Sequence, residues 1–511
     1  MRPKFPRLTR AGALAAAVVA TALAPASAVL HAQPGGVAAA CNIDPNQPKE
    51  LALISIKFQG ARAQQDAAQR KTALQGIMRD LETKPERFAK NAVGYNYTLS
   101  QVLSALAVEP TIGTMPTRAT LGVPGTPTDT YDVIAKLDTA FKAIATGAPE
   151  CAAEVSQLRQ NDVWLALTRR SLDASNNSQL DTADFYAMQS LRLSTASPYP
   201  HYVMGNVANT RGNKKAAVAH WKQTVSIAAA DSTYRDIKNS SMYYIGMTQL
   251  EAAAALTGAE QKAAAAEAAA SFRSLMAATG ETADTPGIMQ STADALKLAG
   301  DSAAVPSVYA PLLASPDKYN DFSHTMGGVI ATQANKLDDA VKMFEAAVKR
   351  NATARDALRN LAASYYAKEN FKAMFDPSAK LVAIDPNNYD GWMMFAYGYQ
   401  GLAQAEKVPA VKKAYTDSLV KYRTLSEALP VKVDIVSFQR GAATAQLGMS
   451  FEQVAAAPGT YSVTVDFLDA NGGVVVSDTQ TVGPVAKGKK VEATFKGTGA
   501  AIVGYRYKPL K

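Results

Sequence analysis

The residues of this chain that could do catalytic or metal chemistry are few and scattered. Among 511 residues there are four histidines and two cysteines, and no His-Glu-x-x-His pair that could hold zinc. The chain also lacks a Gly-x-Ser-x-Gly elbow and a Gly-x-x-x-x-Gly-Lys-Ser/Thr phosphate loop. The sequence therefore predicts a protein that is not an enzyme and that has no metal and no cofactor. An enzyme whose scattered carboxylates meet only after folding is the alternative.

Each histidine has an ordinary structural interpretation. His31 lies in an N-terminal segment that is expected to be cleaved or disordered. His201 and His324 fall at positions of predicted helices that usually pack against a neighbour, and His220, beside Trp221, is predicted at the surface. None of these positions has the spacing of metal ligands.

The two cysteines, Cys41 and Cys151, are predicted to form a disulfide. In an oxidising compartment two lone cysteines usually pair. A closed loop of about 110 residues would stabilise the fold by about 4–5 kcal/mol in the chain-entropy model. A lipid-modified Cys41 is the alternative, because three alanines precede it.

Residues 1–28 have the pattern of a secretory signal peptide. Four basic residues precede an uncharged apolar run, Ala11 to Ala24, and small residues at 26–28 offer a cleavage site. The run is too short to span a bilayer, although an uncleaved short anchor is the alternative. We therefore expect an exported chain, periplasmic or secreted, with no transmembrane segment after cleavage.

The net charge of the expected mature chain is small. The whole chain carries +9, and residues 1–28 contain four basic and no acidic residues, which leaves 9 − 4 = +5. A nucleic-acid-binding protein usually has a concentrated basic face, so we expect no nucleic-acid partner.

A 34-residue repeat organises the middle of the chain. His324, Gly328 and Ala331 recur 34 residues later as leucine, alanine and tyrosine, and again after 34 more residues as Trp392, Ala396 and Tyr399. A fixed period of this length indicates stacked helix pairs rather than one globular core. An irregular helical bundle is the alternative.

The repeats resemble tetratricopeptide repeats, which carry small residues where two helices cross and a proline near the end of each unit. The copy with Leu358, Ala362, Phe371 and Pro386 fits this pattern best, and an earlier copy begins near Gly205. The resemblance implies a mainly α solenoid of eight or nine helix pairs over residues 47–430. It also implies a protein of the exported bacterial type. Residues 29–46 are rich in alanine, glycine and proline and are predicted to form a flexible leader before the repeats.

The resemblance further implies that the first helix of each pair lines a concave groove. Residues at i, i+3, i+7 and i+10 share one face of a helix, and in the repeats these positions carry aromatic, amide and charged side chains suited to an extended peptide. Ordinary packing between repeats is the alternative for each. The predicted partner-binding residues are Tyr199, Tyr202, Asn206, Asn209, Asp356, Arg359, Tyr366, Asp390, Met393, Tyr397 and Gln400.

One segment of the repeat region, about 108–130, departs from the pattern. It is rich in proline and threonine. A long loop of this kind inside a compact array is usually functional or disordered. Disorder is the preferred interpretation, and a loop folded across the concave face is the alternative.

The last residues, 431–511, change to a strand pattern. Apolar and polar residues alternate from Tyr461 to Phe467, which is typical of a half-buried strand, and a turn sequence with Asp469 and Asn471 follows. Together with Asp466 these side chains could bind calcium, but a hairpin turn is the preferred interpretation. Six such strands predict a small β-sandwich that resembles immunoglobulin-like modules.

These features predict an exported, non-enzymatic scaffold that binds a protein or peptide partner in its groove, in the bacterial cell envelope. The alternative is an envelope polysaccharide or surface binder that uses the C-terminal β-module, with the helical array as a spacer. The partner and the oligomeric state do not follow from the sequence.

Overall fold

The computed structural model describes residues 41–109, 111–282, 284–499 and 501–510. The predicted signal peptide and most of the predicted leader lie outside these residues. The described chain divides into two compact units, an N-terminal unit up to Thr248 and a C-terminal unit from Gln249 onward. The boundary falls within one helix, α11 (Arg235–Ala254).

The N-terminal unit is built from helices. In chain order they are α1 (Lys49–Ala63), α2 (Ala67–Glu82), α3 (Ala92–Val108), α4 (Arg118–Leu121), α5 (Val133–Gly147), α6 (Ala152–Arg159), α7 (Asp162–Asn176), α8 (Leu180–Leu193), α9 (Tyr199–Thr210) and α10 (Lys214–Ala228).

The C-terminal unit continues with helices and ends with strands. Its helices are α12 (Gly258–Thr279), α13 (Thr285–Leu298), α14 (Pro306–Ala314), α15 (Asp321–Gln333), α16 (Leu337–Arg350), α17 (Arg355–Ala367), α18 (Phe375–Ile384), α19 (Tyr389–Ala405) and α20 (Pro409–Glu427). Its strands are β1 (Val431–Arg440), β2 (Thr444–Gln453), β3 (Gly459–Leu468), β4 (Val474–Val485), β5 (Lys490–Thr498) and β6 (Gly504–Tyr507). The predicted class, mainly helical repeats followed by a small all-β domain, is confirmed.

Helix α16 shows how the sequence specifies these elements. Ala340, Val341, Phe344 and Ala347 are buried, and their spacing places them on one face of the helix. Two aspartates in the first turn and a lysine and an arginine in the last turn complement the helix dipole. The buried face packs against α15 and α17, so α16 is the second helix of a repeat.

Small residues allow the two helices of a repeat to cross closely. Gly328 of α15 lies against the ring of Phe344, where an added Cβ atom would come within 2.5 Å of a ring carbon. Gly205 of α9 lies in the same way against Trp221, where an added Cβ atom would come within 2.5 Å of the indole nitrogen. Both aromatic rings are buried. The predicted role of small residues at the crossings is therefore confirmed at these two pairs.

We predict that Gly328→Ala destabilises the C-terminal unit by about 1–3 kcal/mol, because the new methyl group must displace a buried ring in a packed core. Gly287→Ala is the matched control: Gly287 is also helical, and an added Cβ atom meets nothing within 4 Å. There alanine should be neutral or stabilise by up to about 1 kcal/mol, since glycine lowers helix stability. Denaturant unfolding followed by circular dichroism measures both. Equal unfolding midpoints for the two variants would contradict the role assigned to the crossing.

The segment at 111–130 is ordered by packing, so the preferred prediction of disorder is wrong. Leu121 is fully buried and Val123 nearly so, and the backbone at Thr117 and Thr130 forms an antiparallel bridge. The Arg79 side chain on α2 donates a hydrogen bond of 3.2 Å to the backbone oxygen of Gly122. A few apolar side chains therefore hold a loop whose composition alone suggested mobility.

The predicted disulfide between Cys41 and Cys151 is present in the structure. Cys151 is fully buried, and the bond closes a loop with a sequence separation of 110. Because the Cys41 sulfur is bonded to Cys151, the structure does not support the alternative of a lipid-modified Cys41.

The six strands form two antiparallel sheets of three strands each. Their orders are β1-β2-β5 and β4-β3-β6, and inward-facing residues of both sheets, such as Phe451 and Phe467, share one buried core. The turn between β3 and β4 is built on Asp469, which accepts backbone hydrogen bonds from Asn471 and Gly473. This is the predicted hairpin turn; the immunoglobulin-like character of the sandwich stays a prediction.

A buried polar junction fastens the sandwich to the repeats within the C-terminal unit. The carboxylate of Asp385, at the end of α18, is fully buried and lies 2.6 Å from Nε of Arg355. The hydroxyl of Tyr507 on β6 donates to the same carboxylate at 2.5 Å. Burial, followed by the charge of Asp385, holds the pKa of Tyr507 well above its usual range, so its hydroxyl remains a donor.

Asn387 and Asn351 extend the junction along the repeat loops. The Asn387 side chain donates to the backbone oxygens of Val431 and Leu510 and accepts from the Leu510 amide at 2.7 Å. One repeat earlier, Asn351 donates to the backbone oxygen of Val503 at 2.8 Å. Side chains of successive repeats thus fix the orientation of the sandwich.

We predict that Tyr507→Phe lowers the stability of the C-terminal unit by about 1–3 kcal/mol, because Oδ1 of the buried Asp385 carboxylate loses the hydroxyl that donates to it, although Arg355 still pairs with Oδ2. Tyr319→Phe is the control: it makes the same chemical change at a half-buried tyrosine outside the junction. Denaturant midpoints, with the near-ultraviolet signal as a second probe, measure the difference. If both variants unfold at the midpoint of the unmodified chain, the junction does not stabilise the unit.

Candidate partner-binding surface

The predicted site residues of the N-terminal unit lie on α9. The Tyr199 ring meets Tyr234 edge-on, with 5.9 Å between ring centres. Tyr202 packs beside the buried Trp221, and burial raises the pKa of Tyr202 to about 12. Both tyrosines are only half buried, so each ring packs on one side and can still contact a partner on the other.

Each of the two asparagines of α9 already uses its amide oxygen within the chain. Oδ1 of Asn206 accepts a hydrogen bond of 3.1 Å from Nε1 of Trp221. Oδ1 of Asn209 accepts one of 3.0 Å from Nζ of Lys214. An amide whose oxygen is engaged in this way has its NH₂ group oriented, and that group can donate to the carbonyl of a bound peptide.

In the C-terminal unit the structure pairs two predicted residues with each other. Nη2 of Arg359 on α17 lies 2.9 Å from Oδ2 of Asp390 on α19, and both side chains are partly exposed. Asp356, one helical turn before Arg359, is mostly exposed and lies 3.0 Å from Nη1 of Arg355. To pair with a carboxylate of a partner, Arg359 would first have to leave Asp390.

The remaining predicted residues do not all lie between α17 and α19. The rings of Tyr366 and Tyr397 are neighbours, with centres 6.0 Å apart. Met393 lies towards α20, where its sulfur is 3.2 Å from the hydroxyl of Ser426. Gln400 is half buried. Helices α17 and α19 therefore bring Arg359 to Asp390 and Tyr366 to Tyr397, as adjacent first helices of a repeat array should.

Two cationic side chains of the sandwich border this face, and sequence reasoning missed both. The Arg440 guanidinium lies 3.9 Å from the ring centre of Phe322 on α15, and Nζ of Lys432 lies 4.4 Å from that of Tyr389 on α19. Arg440 is also held by Asp321. Contacts between β1 and helices that precede it by many residues have no local sequence signal.

The predicted residues do not form one demonstrated site. Tyr199, Tyr202, Asn206 and Asn209 belong to the N-terminal unit, and the others belong to the C-terminal unit. Each set is therefore a separate candidate surface. We call the set on α17 and α19, with Phe322, Tyr389, Lys432 and Arg440 at its edge, the first-helix face.

No observation in the described part of the chain favours an enzyme. Its His, Cys, Asp and Glu side chains form no group of three or more that could hold a metal ion. An open hollow of about 360 Å³ contains Glu345 and Asp376, but these carboxylates are bonded to Tyr365 and Lys380. Each of the two carboxylates thus already has a hydrogen-bond partner within the chain.

Two further observations bear on the predictions. Among residues 41–109, 111–282, 284–499 and 501–510, no helix is both long and apolar enough to cross a membrane.

His324 is fully buried, and its Nε2 lies 3.0 Å from the backbone oxygen of Pro316. The predicted structural role of His324 is confirmed.

No protein-family model matches the chain, and no curated protein sequence matches it. Solved structures with helical repeats do align with it. YrrB, a tetratricopeptide repeat protein with an unusual peptide-binding site, is 14% identical, with 40% of this chain and 96% of YrrB covered and a TM-score of 0.28. The pilF protein of Pseudomonas aeruginosa is 11% identical, with 51% of this chain and 88% of pilF covered and a TM-score of 0.23.

A tetratricopeptide repeat protein from Parabacteroides merdae also aligns. It is 9% identical, with 56% of this chain and 93% of that protein covered and a TM-score of 0.25. Overlaps this low carry no argument about function. The repeat character of the chain rests on its own helix pairs and their glycine–aromatic crossings, and on these grounds the protein is a helical repeat protein with a C-terminal β-sandwich.

Proposed function

We propose that this chain is an exported, non-enzymatic scaffold that binds an extended segment of a protein partner on its first-helix face. The observation that carries the proposal is the row of partly exposed side chains on consecutive first helices, from Phe322 through Arg359 and Asp390 to Tyr397. Repeat proteins typically bind their partners on such surfaces.

The chemistry of the row favours a polypeptide. Tyrosine rings supply contact area with little loss of side-chain entropy, and an extended chain advances about 3.3 Å per residue, so a short segment can reach several helices. Because Arg359 is already paired with Asp390, aromatic and amide contacts should contribute more than capture of a single carboxylate.

The proposed location of the protein, in the bacterial cell envelope or outside the cell, rests on two features. The first 28 residues have a signal-peptide pattern, and they lie outside the described residues. The disulfide between Cys41 and Cys151 suits an oxidising compartment. Sequencing the N-terminus of the mature protein tests the cleavage directly.

We predict that replacing Arg359 and Tyr397 together by alanine weakens partner capture by about tenfold or more, since aromatic and arginine anchors dominate such interfaces. The matched control replaces two exposed lysines by alanine, Lys349 of α16 and Lys380 of α18. Both helices are second helices of their repeats. Pull-downs from envelope extracts, quantified by mass spectrometry, compare both double variants with the unmodified chain.

A photo-crosslinking residue sharpens the experiment. Placed at position 397 it should label the partner, whereas at position 380 it should not. Thermal melts establish that all variants are folded. If the Arg359 and Tyr397 variant captures the same partners at the same yield as the unmodified chain, the first-helix face is not the binding surface.

A further inference from the structure

Two histidines of the N-terminal unit face each other across a helix pair. His201 is in the first turn of α9 and His220 is in the middle of α10. Their Nδ1 atoms are 3.2 Å apart, and their rings are stacked with centres 5.5 Å apart and planes inclined by 30°. Both side chains are half buried, so solvent and ions can reach them.

The pair is arranged as two neutral imidazoles. Burial lowers the pKa of both rings, and the proximity of His220 lowers that of His201 further. A neutral imidazole carries one proton on two nitrogens. In the absence of an ion, one Nδ1 can donate a hydrogen bond to the other. With the proton of each ring on Nε2 instead, both Nδ1 atoms would have a lone pair available to an ion.

We propose that His201 and His220 form a binding site for a borderline divalent transition-metal ion such as Zn²⁺, Cu²⁺ or Ni²⁺, held by the two Nδ1 atoms. Zinc–nitrogen bonds of about 2.0–2.1 Å at a tetrahedral angle place the two nitrogens about 3.3–3.4 Å apart. The observed separation of 3.2 Å is within about 0.2 Å of this value. The spacing of the two nitrogens therefore suits coordination of one ion by both rings.

The surroundings set the strength and selectivity of this site. Asp184 on α8 acts electrostatically on His220 and favours a cation, although Arg211 lies 3.0 Å from its Oδ2. Because the described residues offer no third histidine, cysteine or carboxylate in a ligating group, water must complete the coordination. Binding should therefore be weaker than in a closed four-ligand zinc site, and imidazole ligands should reject Mg²⁺ and Ca²⁺.

The site goes beyond the proposed partner binding. An ion between the two rings would tie the start of α9 to the middle of α10, residues that are 19 apart in sequence. The same helix α9 carries the candidate partner-binding residues Tyr199 and Asn206. Metal binding would thus stabilise the helix that presents these side chains.

Isothermal titration of the full-length, untagged chain with ZnCl₂, NiCl₂ and MgCl₂ tests the proposal. We expect one Zn²⁺ or Ni²⁺ per chain, no heat from Mg²⁺, and a rise in the melting temperature on Zn²⁺ addition. His201→Asn and His220→Asn should each weaken binding by about tenfold or more, by comparison with the loss of groups that only support a ligand. His31→Asn, which removes an imidazole elsewhere in the sequence, should bind as the unmodified chain does.

Copper spectroscopy gives a second readout that a change in stability alone cannot imitate. Electron paramagnetic resonance of the 1:1 Cu²⁺ complex should show two nitrogen ligands, and only one in either asparagine variant. Absence of a 1:1 complex would overturn the proposal. So would unchanged affinity and an unchanged nitrogen count in both His201→Asn and His220→Asn.

Discussion

The close approach of paired helices at residues without a large side chain is the constraint on which the rest of the structure depends. Gly205 and Gly328 each lie under an aromatic ring contributed sixteen residues later, Trp221 and Phe344. Because interiors are packed at crystal-like density, the ring fills the space that a Cβ atom would otherwise occupy. The second helix is then largely committed to packing, and the first helix keeps one face available.

The junction between the repeats and the sandwich uses buried polar groups where an apolar interface would have served. A buried ion pair such as that of Arg355 and Asp385 adds little net stability over apolar residues of the same size. The hydrogen bonds of the junction nevertheless require particular distances and angles. The sandwich therefore has one favoured orientation on the loops of the repeats. This makes the sandwich part of the repeat body rather than a module at the end of a tether, and it places Lys432 and Arg440 beside the first-helix face.

The sequence predicts what is local or periodic. The 34-residue period locates the crossings, and alternation locates strands such as β3, because these patterns follow from helix and strand geometry alone. The pairing of Arg359 with Asp390 joins equivalent faces of adjacent repeats, and both are among the predicted partner-binding residues.

The prediction of disorder near 111–130 was wrong because it followed from a composition dominated by proline and threonine. The burial of Leu121 and Val123 depends on α2 and its neighbours. Two further features depend on how helices and strands pack together, and no local sequence pattern predicts them. They are the contact between His201 and His220 and the contacts of Arg440.

The first strand of the sandwich shows a consequence of its attachment. Near its start, the backbone groups of Val431 and Val433 that point away from β2 are bonded to Asn387 and Asn388. An open strand edge is a template on which another chain can add a strand. Asparagines in a helical loop thus shield this edge from intermolecular pairing, and a fragment that begins at residue 431 would expose it to self-association.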